Sequence, residues 1–288
     1  MMLLKYLTPA TALFSYASAS AFTLGNIEED PANFCQTRYP SEARQNEISA
    51  LLSNPNTRRS TEPIVVPLHI HAAVPANSGP DVLSFDILNR QWEVMRDIYA
   101  QYDIEFTRGN ITRDDSGDYT EFEMEYNDAG YFAGTTPELE RFWRETRTGG
   151  YDELHLYIYH GSVAWGGVCS FPDILQGVFG PPFWHDGCHM HSELMVGSTR
   201  TDGYYEEGEV AVHEAGHWFG LLHVFQGPLS DVQVSRYCPV GQDSCPNHPG
   251  LDNYHNYMDY SSNECMNEFT EGQKERMHNV FNALRRGW

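Results

Sequence analysis

Five residues of one short segment have the types and spacing of a metal site with an attacking base. Residues 213 to 223 read H-E-A-G-H-W-F-G-L-L-H. On an α-helix, His213 and His217 lie about one turn apart on the same face, so both imidazoles can reach one ion. Glu214 lies beside the first histidine, where its carboxylate can take a proton from a water on the metal. The pattern therefore predicts metal-assisted hydrolysis.

The third histidine of the segment requires a break in this helix. A continuous helix would carry His223 away from the ion, but Gly220 can end it, because glycine adopts φ > 0 at no steric cost. Three histidine ligands leave a fourth zinc position for water and substrate, as in catalytic sites and unlike closed structural ones. Apolar residues surround the polar face and predict a buried helix: Val210, Val212, Trp218, Phe219, Leu221 and Leu222.

Three other interpretations of this segment are open. The chain contains 13 histidines, so the spacing could be incidental, although a chance match of all five fixed residues is rare. A catalytically silent protein could keep zinc for structure, but a closed structural site needs no base at Glu214. A zinc amidase that acts on non-peptide substrates would use the same residues.

Beyond this segment, several motifs resemble those of one peptidase family. H-E-x-x-H-x-x-G-x-x-H is similar to the metzincin signature, which is followed downstream by a methionine turn, here the N-Y-M-D-Y of residues 256 to 260. The likeness extends over the segments 217–227, 238–241, 243–246, 256–266 and 269–277. These resemble the pappalysin family of metzincins, and within it the secreted fungal extracellular metalloproteases. The resemblance covers residues 61 to 288 and is specific from Gly208 onward.

The resemblance implies a role for each matching residue. His213, His217 and His223 would bind one catalytic Zn²⁺, and Glu214 would be the general base and acid. Met258 would form the hydrophobic floor under the metal. Tyr260 would stabilise the oxyanion, with an ordinary aromatic in a loop as the alternative, since the chain has 17 tyrosines.

The resemblance also implies an α+β fold of the metzincin kind. An upper mixed-sheet subdomain would carry the zinc helix, and a lower irregular subdomain would end in a C-terminal helix. A peptide would bind extended in the cleft between them, and the chain would hydrolyse internal bonds of protein or peptide substrates. One departure concerns calcium. Relatives have a Cys and an Asp-Thr-Pro element where residues 228 to 235 read P-L-S-D-V-Q-V-S, which argues against a calcium site of the family type.

The N-terminus predicts secretion. Lys5 precedes an apolar run and the small residues Ala17-Ser18-Ala19, as in a signal peptide covering residues 1 to 19. This run is too short for a transmembrane anchor, and no later stretch is apolar enough to cross a bilayer. Residues 20 to 60 are polar and form an N-terminal segment that could be a pro-segment, with Arg58-Arg59 before Ser60 as a processing site. Residues 61 to 288 form one catalytic domain.

Secretion makes the six cysteines candidates for disulfides. Cys169 and Cys188 bracket an apolar, proline-rich loop and are expected to pair, whereas the pairing of Cys238 with Cys265 is implied by the resemblance. Cys35 and Cys245 are left. Parity favours a bond between them; the alternative is that Cys35 lies in a pro-segment and caps the zinc as a thiolate.

Charge and composition limit the partners. Forty acidic residues against 18 basic ones give a net charge of −22. This charge argues against nucleic acids and anionic membrane surfaces as partners, because both are negatively charged and bind basic protein surfaces. Asn110 begins an N-glycosylation motif. The oligomeric state cannot be read from the sequence.

Hydrophobic periodicity predicts strands separated by helices ahead of the zinc helix, hence a mixed α/β upper half. The predicted helices are 41–52, 84–102, 137–146 and 271–286, and the predicted strands are 64–72, 104–107, 154–159 and 187–196. The pairs His69/His71 and His189/His191 suggest a second metal site, but packing or cleft-edge roles are favoured because no third ligand is near in sequence.

Overall fold

We analysed a computed structural model of the chain. It describes residues 34–37, 40–53, 62–120, 123–126, 132–161, 166–173, 181–198, 204–226, 237–244, 246–247 and 250–288. The helices are α1 (Glu42–Ser53), α2 (Phe85–Ala100), α3 (Pro137–Thr146), α4 (Pro181–His185), α5 (Glu209–Trp218) and α6 (Glu271–Val280). The strands are β1 (Ile64–Ala73), β2 (Ile104–Asp114), β3 (Met124–Tyr126), β4 (Phe132–Thr135), β5 (Leu154–Tyr159), β6 (Gly167–Cys169) and β7 (Cys188–His191).

A five-stranded mixed sheet with the order β2-β1-β5-β7-β6 forms the upper half. β1, β2, β5 and β7 run parallel, and β6 pairs antiparallel with β7 at one edge. β3 and β4 form a separate antiparallel hairpin. Parallel strands need crossovers, and α2 and α3 lie in two of them, as the alternation of strands and helices predicts.

Both faces of the sheet are covered, so β5 is buried at every position. Leu156 on one face belongs to the main core with α2 and α5. Tyr157 and Tyr159 on the other face pack with Trp143 of α3. This alternation follows from the two-residue period of a strand. It places α5, which carries His213 and His217, directly against β6 and β7.

Local sequence determines where the helices begin. Ser84 and Thr136 cap α2 and α3 through their side chains, and Pro137 occupies the first turn of α3, where its missing N–H is not needed. Thr270 and Gln273 form a capping box at the start of α6. After α5 the described chain is irregular until α6, whose last turn continues as a π-helical turn over Phe281–Arg285.

The expected fold class is confirmed, with an upper mixed sheet that carries the zinc helix and a lower part that ends in the C-terminal helix. Several boundaries differ from the prediction. β2 continues to Asp114 because its second half pairs with β1 as far as Ala73. The strand predicted over 187–196 ends at His191 and gives way to a 3₁₀ turn. Neither β6 nor the β3–β4 hairpin was predicted.

The structure joins Cys169 to Cys188 and Cys238 to Cys265. The first bond links β6 to β7, and the second links the chain after the third histidine to the methionine turn. Cys245, the signal peptide, Arg58-Arg59, Ser60 and the 228–235 stretch lie outside the described residues. Asn110 is exposed on β2. Among the helices of the described residues, none has the length and apolar character that a bilayer span requires.

Candidate metal centre

Three histidine nitrogens meet at one buried point below the sheet. The Nε2 atoms of His213 and His217 are 3.2 Å apart, and each lies 3.1 Å from Nε2 of His223. The first two histidines occupy successive turns of α5, as their spacing requires. Zn–N bonds of about 2.0–2.1 Å in tetrahedral geometry place ligand nitrogens roughly 3.3 Å apart. The three nitrogens therefore fit a single zinc ion.

The second ring nitrogens fix the tautomers that such a site needs. Nδ1 of His213 donates to the Tyr257 carbonyl over 2.7 Å, and Nδ1 of His217 donates to the Leu221 carbonyl over 2.8 Å. Because a carbonyl can only accept, each Nε2 of these neutral rings carries a lone pair. Burial lowers the pKa of His213 to about 4, and a neutral imidazole is the form that binds a metal. Lone pairs that face each other this closely repel unless a cation lies between them.

The turn that presents His223 is built around a glycine. α5 ends at Trp218, and Gly220 has φ +90°, in the left-handed region that glycine favours. A Cβ at this position would lie 2.8 Å from a methyl group of Val280. The predicted role of Gly220 is thus confirmed, and close packing against the C-terminal helix adds a second reason for glycine there.

Met258 lies under the zinc helix, where the methionine turn is expected. Its side chain is fully buried, and its sulfur would be 2.4 Å from a Cβ added at Gly216. The turn is held by Asn256, whose Oδ1 accepts from the Met258 N–H over 3.0 Å, and by the Val224 N–H, which donates to the Met258 carbonyl. The methionine therefore supports the helix between the first two histidines.

Glu214 points from α5 toward the edge strand β6. Burial raises the pKa of this carboxyl to about 8. Its Oε2 accepts from the Thr37 hydroxyl over 3.0 Å, while Oε1 is buried with no hydrogen-bond partner among the described residues. A Cβ at Gly167 would lie 2.3 Å from Oε1, so the carboxyl fits only because β6 has no side chain there. Sequence reasoning missed both Thr37 and Gly167, since neither has a local signal.

Cys35 does not form the disulfide with Cys245 that the even number of cysteines favours. It is a free, buried thiol. Its Sγ lies 3.3 Å from Nε2 of His217, and the four potential ligand atoms of Cys35, His213, His217 and His223 all lie within 4.8 Å of one another. The physical reason is backbone pairing. Gly167 N–H donates to the Phe34 carbonyl, and Gly167 O accepts from the Gln36 N–H, so the intervening residue faces the histidines.

Tyr260 also borders the centre. Its ring centroid lies 4.7 Å from that of His223 and 4.7 Å from that of Phe34. Its hydroxyl donates to the Cys35 carbonyl over 3.4 Å. The hydroxyl thus contacts the segment that covers the histidines.

His69, His71 and His155 form a second cluster, but their nitrogens are engaged elsewhere. His71 and His155 share one hydrogen bond of 3.1 Å, and Nε2 of His155 donates to the Thr148 carbonyl. His69 accepts from the Asn110 N–H and contacts Glu153. The rings of His69 and His155 stack face to face at 4.3 Å, so their lone pairs do not converge. This geometry favours packing over metal binding.

No family model matches the chain. An extracellular metalloprotease of Neurospora crassa is 31% identical, over 99% of this chain and 98% of its own length. One of Pyricularia oryzae is 31% identical, over 96% and 97%. Among solved structures, a Tannerella forsythia promirolysin mutant has a TM-score of 0.60 at 20% identity and covers 91% of this chain and 92% of its own. Mature mirolysin with a cleaved peptide has a TM-score of 0.55 at 22% identity and covers 77% and 93%.

Proposed function

Since the chain belongs to the family of extracellular metalloproteases, we propose that it is a secreted zinc endopeptidase that cleaves internal peptide bonds of extracellular proteins. Within that family we propose a metzincin of the pappalysin type. The observation that carries the proposal is the convergence of three Nε2 atoms 3.1–3.2 Å apart beside a buried carboxyl. The relatives' names and the likeness in fold to mature mirolysin, whose structure is a complex with a cleaved peptide, support it.

His213, His217 and His223 would hold the zinc. When bound, zinc supplies a Lewis acid that polarises the scissile carbonyl and lowers the pKa of water to about 7. A cation at that point also favours the ionised form of Glu214, since opposite charges within about 4–6 Å lower a carboxyl pKa.

Glu214 moves the protons of the reaction. Its carboxylate accepts a proton from the attacking water as the new carbon–oxygen bond forms, and later gives that proton to the amine nitrogen as the carbon–nitrogen bond breaks. Tyr260, whose hydroxyl borders the centre, would donate a hydrogen bond to the oxygen that becomes negative.

An extended peptide would add as a strand to the edge of β6 that does not pair with β7. In the described structure this edge is covered by residues 34 to 37, whose backbone pairs with Gly167. This pairing, which lies next to Glu214, supports the use of the edge by an extended peptide. We propose that substrate uses the same backbone groups of β6 once the N-terminal segment has left.

We therefore propose that the chain is made with a signal peptide over residues 1 to 19 and a pro-segment that is removed after Arg59, so that the mature enzyme begins at Ser60 and contains the catalytic domain of residues 61 to 288. Cys35 would occupy the fourth zinc position, and Thr37 would hold the general base. Burial raises the pKa of the Cys35 thiol, whereas a coordinated thiol is deprotonated outright. The promirolysin structure covers more of this chain than mature mirolysin does, which supports a pro-form.

The deciding experiment is Glu214→Ala in the processed, secreted protein. Zinc content should remain near one ion per chain, because the three histidines are unchanged. Turnover of casein should fall by several orders of magnitude, since the base that moves both protons is gone. The wild-type enzyme should be inhibited by phenanthroline.

Two rival functions give different results. A silent zinc protein would show no casein cleavage in the wild-type form at all. An amidase for non-peptide substrates would cleave small amides but leave casein and gelatin intact. Undiminished casein turnover in Glu214→Ala would remove Glu214 from the mechanism.

A further inference from the structure

The short turn between the second and third histidines determines the geometry of two of the three proposed ligands. The Leu221 carbonyl accepts from Nδ1 of His217 over 2.8 Å and so orients that ring. Two residues later the same turn delivers His223. A shift of this turn would therefore move both nitrogens relative to His213, which is anchored separately to Tyr257 in the methionine turn.

The end of a helix leaves several carbonyls without partners, and the turn itself satisfies only some of them. The Phe219 N–H donates to Ala215 O, the Gly220 N–H to His217 O, and the Leu221 N–H to Gly216 O. The carbonyls of Trp218 and Gly220 accept instead from two arginines of the C-terminal part of the chain: Nε of Arg285 over 3.0 Å and Nε of Arg276 over 2.6 Å.

Arg285 is fully buried and uses every nitrogen of its guanidinium. Besides the Trp218 carbonyl, it donates to the Tyr151 and Ser170 carbonyls and makes a two-pronged ion pair with Asp186 at 3.1 Å. The guanidinium carbon lies 3.8 Å from the centre of the Trp218 ring and 4.1 Å from that of Tyr151. Hydrogen bonds along its edges and aromatic rings against the guanidinium therefore fix the position of Arg285.

Asp186 contacts both Arg285 and Trp218, the residue that follows His217. Besides pairing with Arg285, its carboxylate accepts from Nε1 of Trp218 over 3.2 Å and lies 3.4 Å from a guanidinium nitrogen of Arg147. Trp218 is thus held by its carbonyl, its indole N–H and its ring face. The backbone immediately after His217 has little freedom to move.

Arg276 acts at the glycine of the turn. It lies on α6, about one turn before Val280, and α6 also supplies the methyl groups that pack against Gly220. A positive charge near the C-terminal end of a helix stabilises the helix through its dipole. Arg276 and Arg285 together hold the beginning and the middle of the turn between His217 and His223.

We propose that Arg276 and Arg285 are positioning residues that hold the His217–His223 turn in the geometry that binds zinc. This proposal rests on the proposed zinc site. It predicts that weakening the contact with the Gly220 carbonyl lowers metal affinity, although neither arginine touches the metal.

The test compares Arg276→Met, which keeps the aliphatic stem and removes the donor, with Arg276→Lys, which keeps a cation and a donor. Zinc affinity of the full chain is measured by competition with a fluorescent chelator. The Met variant should bind zinc about 10- to 100-fold more weakly, the size of effect seen when groups that orient metal ligands are removed. The Lys variant should recover most of this loss.

A spectroscopic readout reports geometry independently of activity. In the Co²⁺-substituted protein, the visible bands should change in position and intensity for Arg276→Met and return toward wild type for Arg276→Lys. The matched control is Lys274→Met, on the same helix but paired with Asp103, which should leave zinc affinity and the Co²⁺ spectrum unchanged. Arg285→Lys should weaken zinc binding too; if that variant does not fold, the Arg276 series decides.

The outcomes separate the two proposals. If the wild-type chain binds no zinc, the proposed function fails and the positioning role fails with it. If wild type, Arg276→Met and Arg276→Lys bind zinc equally and give the same Co²⁺ spectrum, the zinc site stands and the positioning role is wrong. Equal losses in Met and Lys variants would also overturn it, because they would indicate packing of the arginine itself.

Discussion

At the scale of single residues, the carboxyl of Glu214 depends on a neighbour that has no side chain. Gly167 on β6 leaves the space that Oε1 occupies, and a Cβ there would approach it to 2.3 Å. The three converging histidines can be found in the sequence because helical spacing alone brings two of them together. The role of Gly167 cannot be found in the sequence, because it arises only when β6 pairs with β7 and faces α5.

Gly167→Ala should therefore impair the reaction without removing the metal. The added methyl must displace the Glu214 carboxyl, and a misplacement of about 1 Å can lower a rate by roughly 10²-fold. We expect kcat/KM of the processed enzyme on casein peptides to fall by about that factor, with zinc content unchanged.

The control for this substitution is Gly134→Ala on β4, where the added methyl lies 3.7 Å from the nearest atom, a carboxylate oxygen of Glu125. That variant should retain wild-type kinetics. Full activity in Gly167→Ala would show that Glu214 has room to move, contrary to the fit described above.

At the scale of elements, the sequence predicts the helices and strands whose ends are marked by local residues such as capping side chains and proline. α3 spans the predicted residues because Thr136 caps it and Pro137 fixes its first turn, and β5 matches because its apolar run has sharp ends. β6 was missed because three residues carry no period, and its pairing partner lies 20 residues later along the chain. The position of Cys35 could not be predicted either, because it depends on backbone pairing with this same strand.

One face of the sheet carries a pH dependence that the sequence does not show. On this face Tyr157 stacks between His71 and His189, and His189 stacks on His185. Burial, together with the charge of Arg147, lowers the pKa values of His71 and His185 to about 3. In the unfolded chain these histidines titrate near 6.5. The unfolded state therefore binds more protons below that pH, and stability is lost as the pH falls from about 6.5 toward 3.

His185→Phe should reduce this loss, because Phe can keep the stack on Phe132 without a group to protonate. One such histidine contributes up to about 1.4 kcal/mol per pH unit to the slope of the unfolding free energy. Urea denaturation between pH 7 and pH 4 should show a slope lower by up to this amount. Tyr157→Phe is the matched control, since burial raises the pKa of Tyr157 to about 12 and the tyrosine stays neutral throughout; its slope should equal that of wild type.

At the scale of the whole molecule, the described part of the N-terminal segment contacts the rest of the described chain in two places. Residues 34–37 lie across the histidines at the edge of the sheet, and Ile48 of α1 packs against Val280 and Leu284 near the C-terminus. Arg44 pairs with Asp173 between these two contacts. The segment is therefore anchored beside the C-terminal helix while it covers the three histidines. A pro-segment held in this way would leave only after the chain between α1 and β1 is cut.

This arrangement predicts a thiol that is protected by the metal. In the full-length Glu214→Ala chain, isolated with its N-terminal segment intact, iodoacetamide should label Cys35 slowly while zinc is bound and faster after chelation, because a segment that is no longer bound to the metal opens more often and exposes its buried thiol. Peptide mass spectrometry locates the label. Cys35→Ser in the same background should weaken zinc binding, since one proposed ligand is replaced by a poorer one. A disulfide between Cys35 and Cys245 would instead leave Cys35 unlabelled before and after chelation, and would restore the pairing that cysteine parity favours.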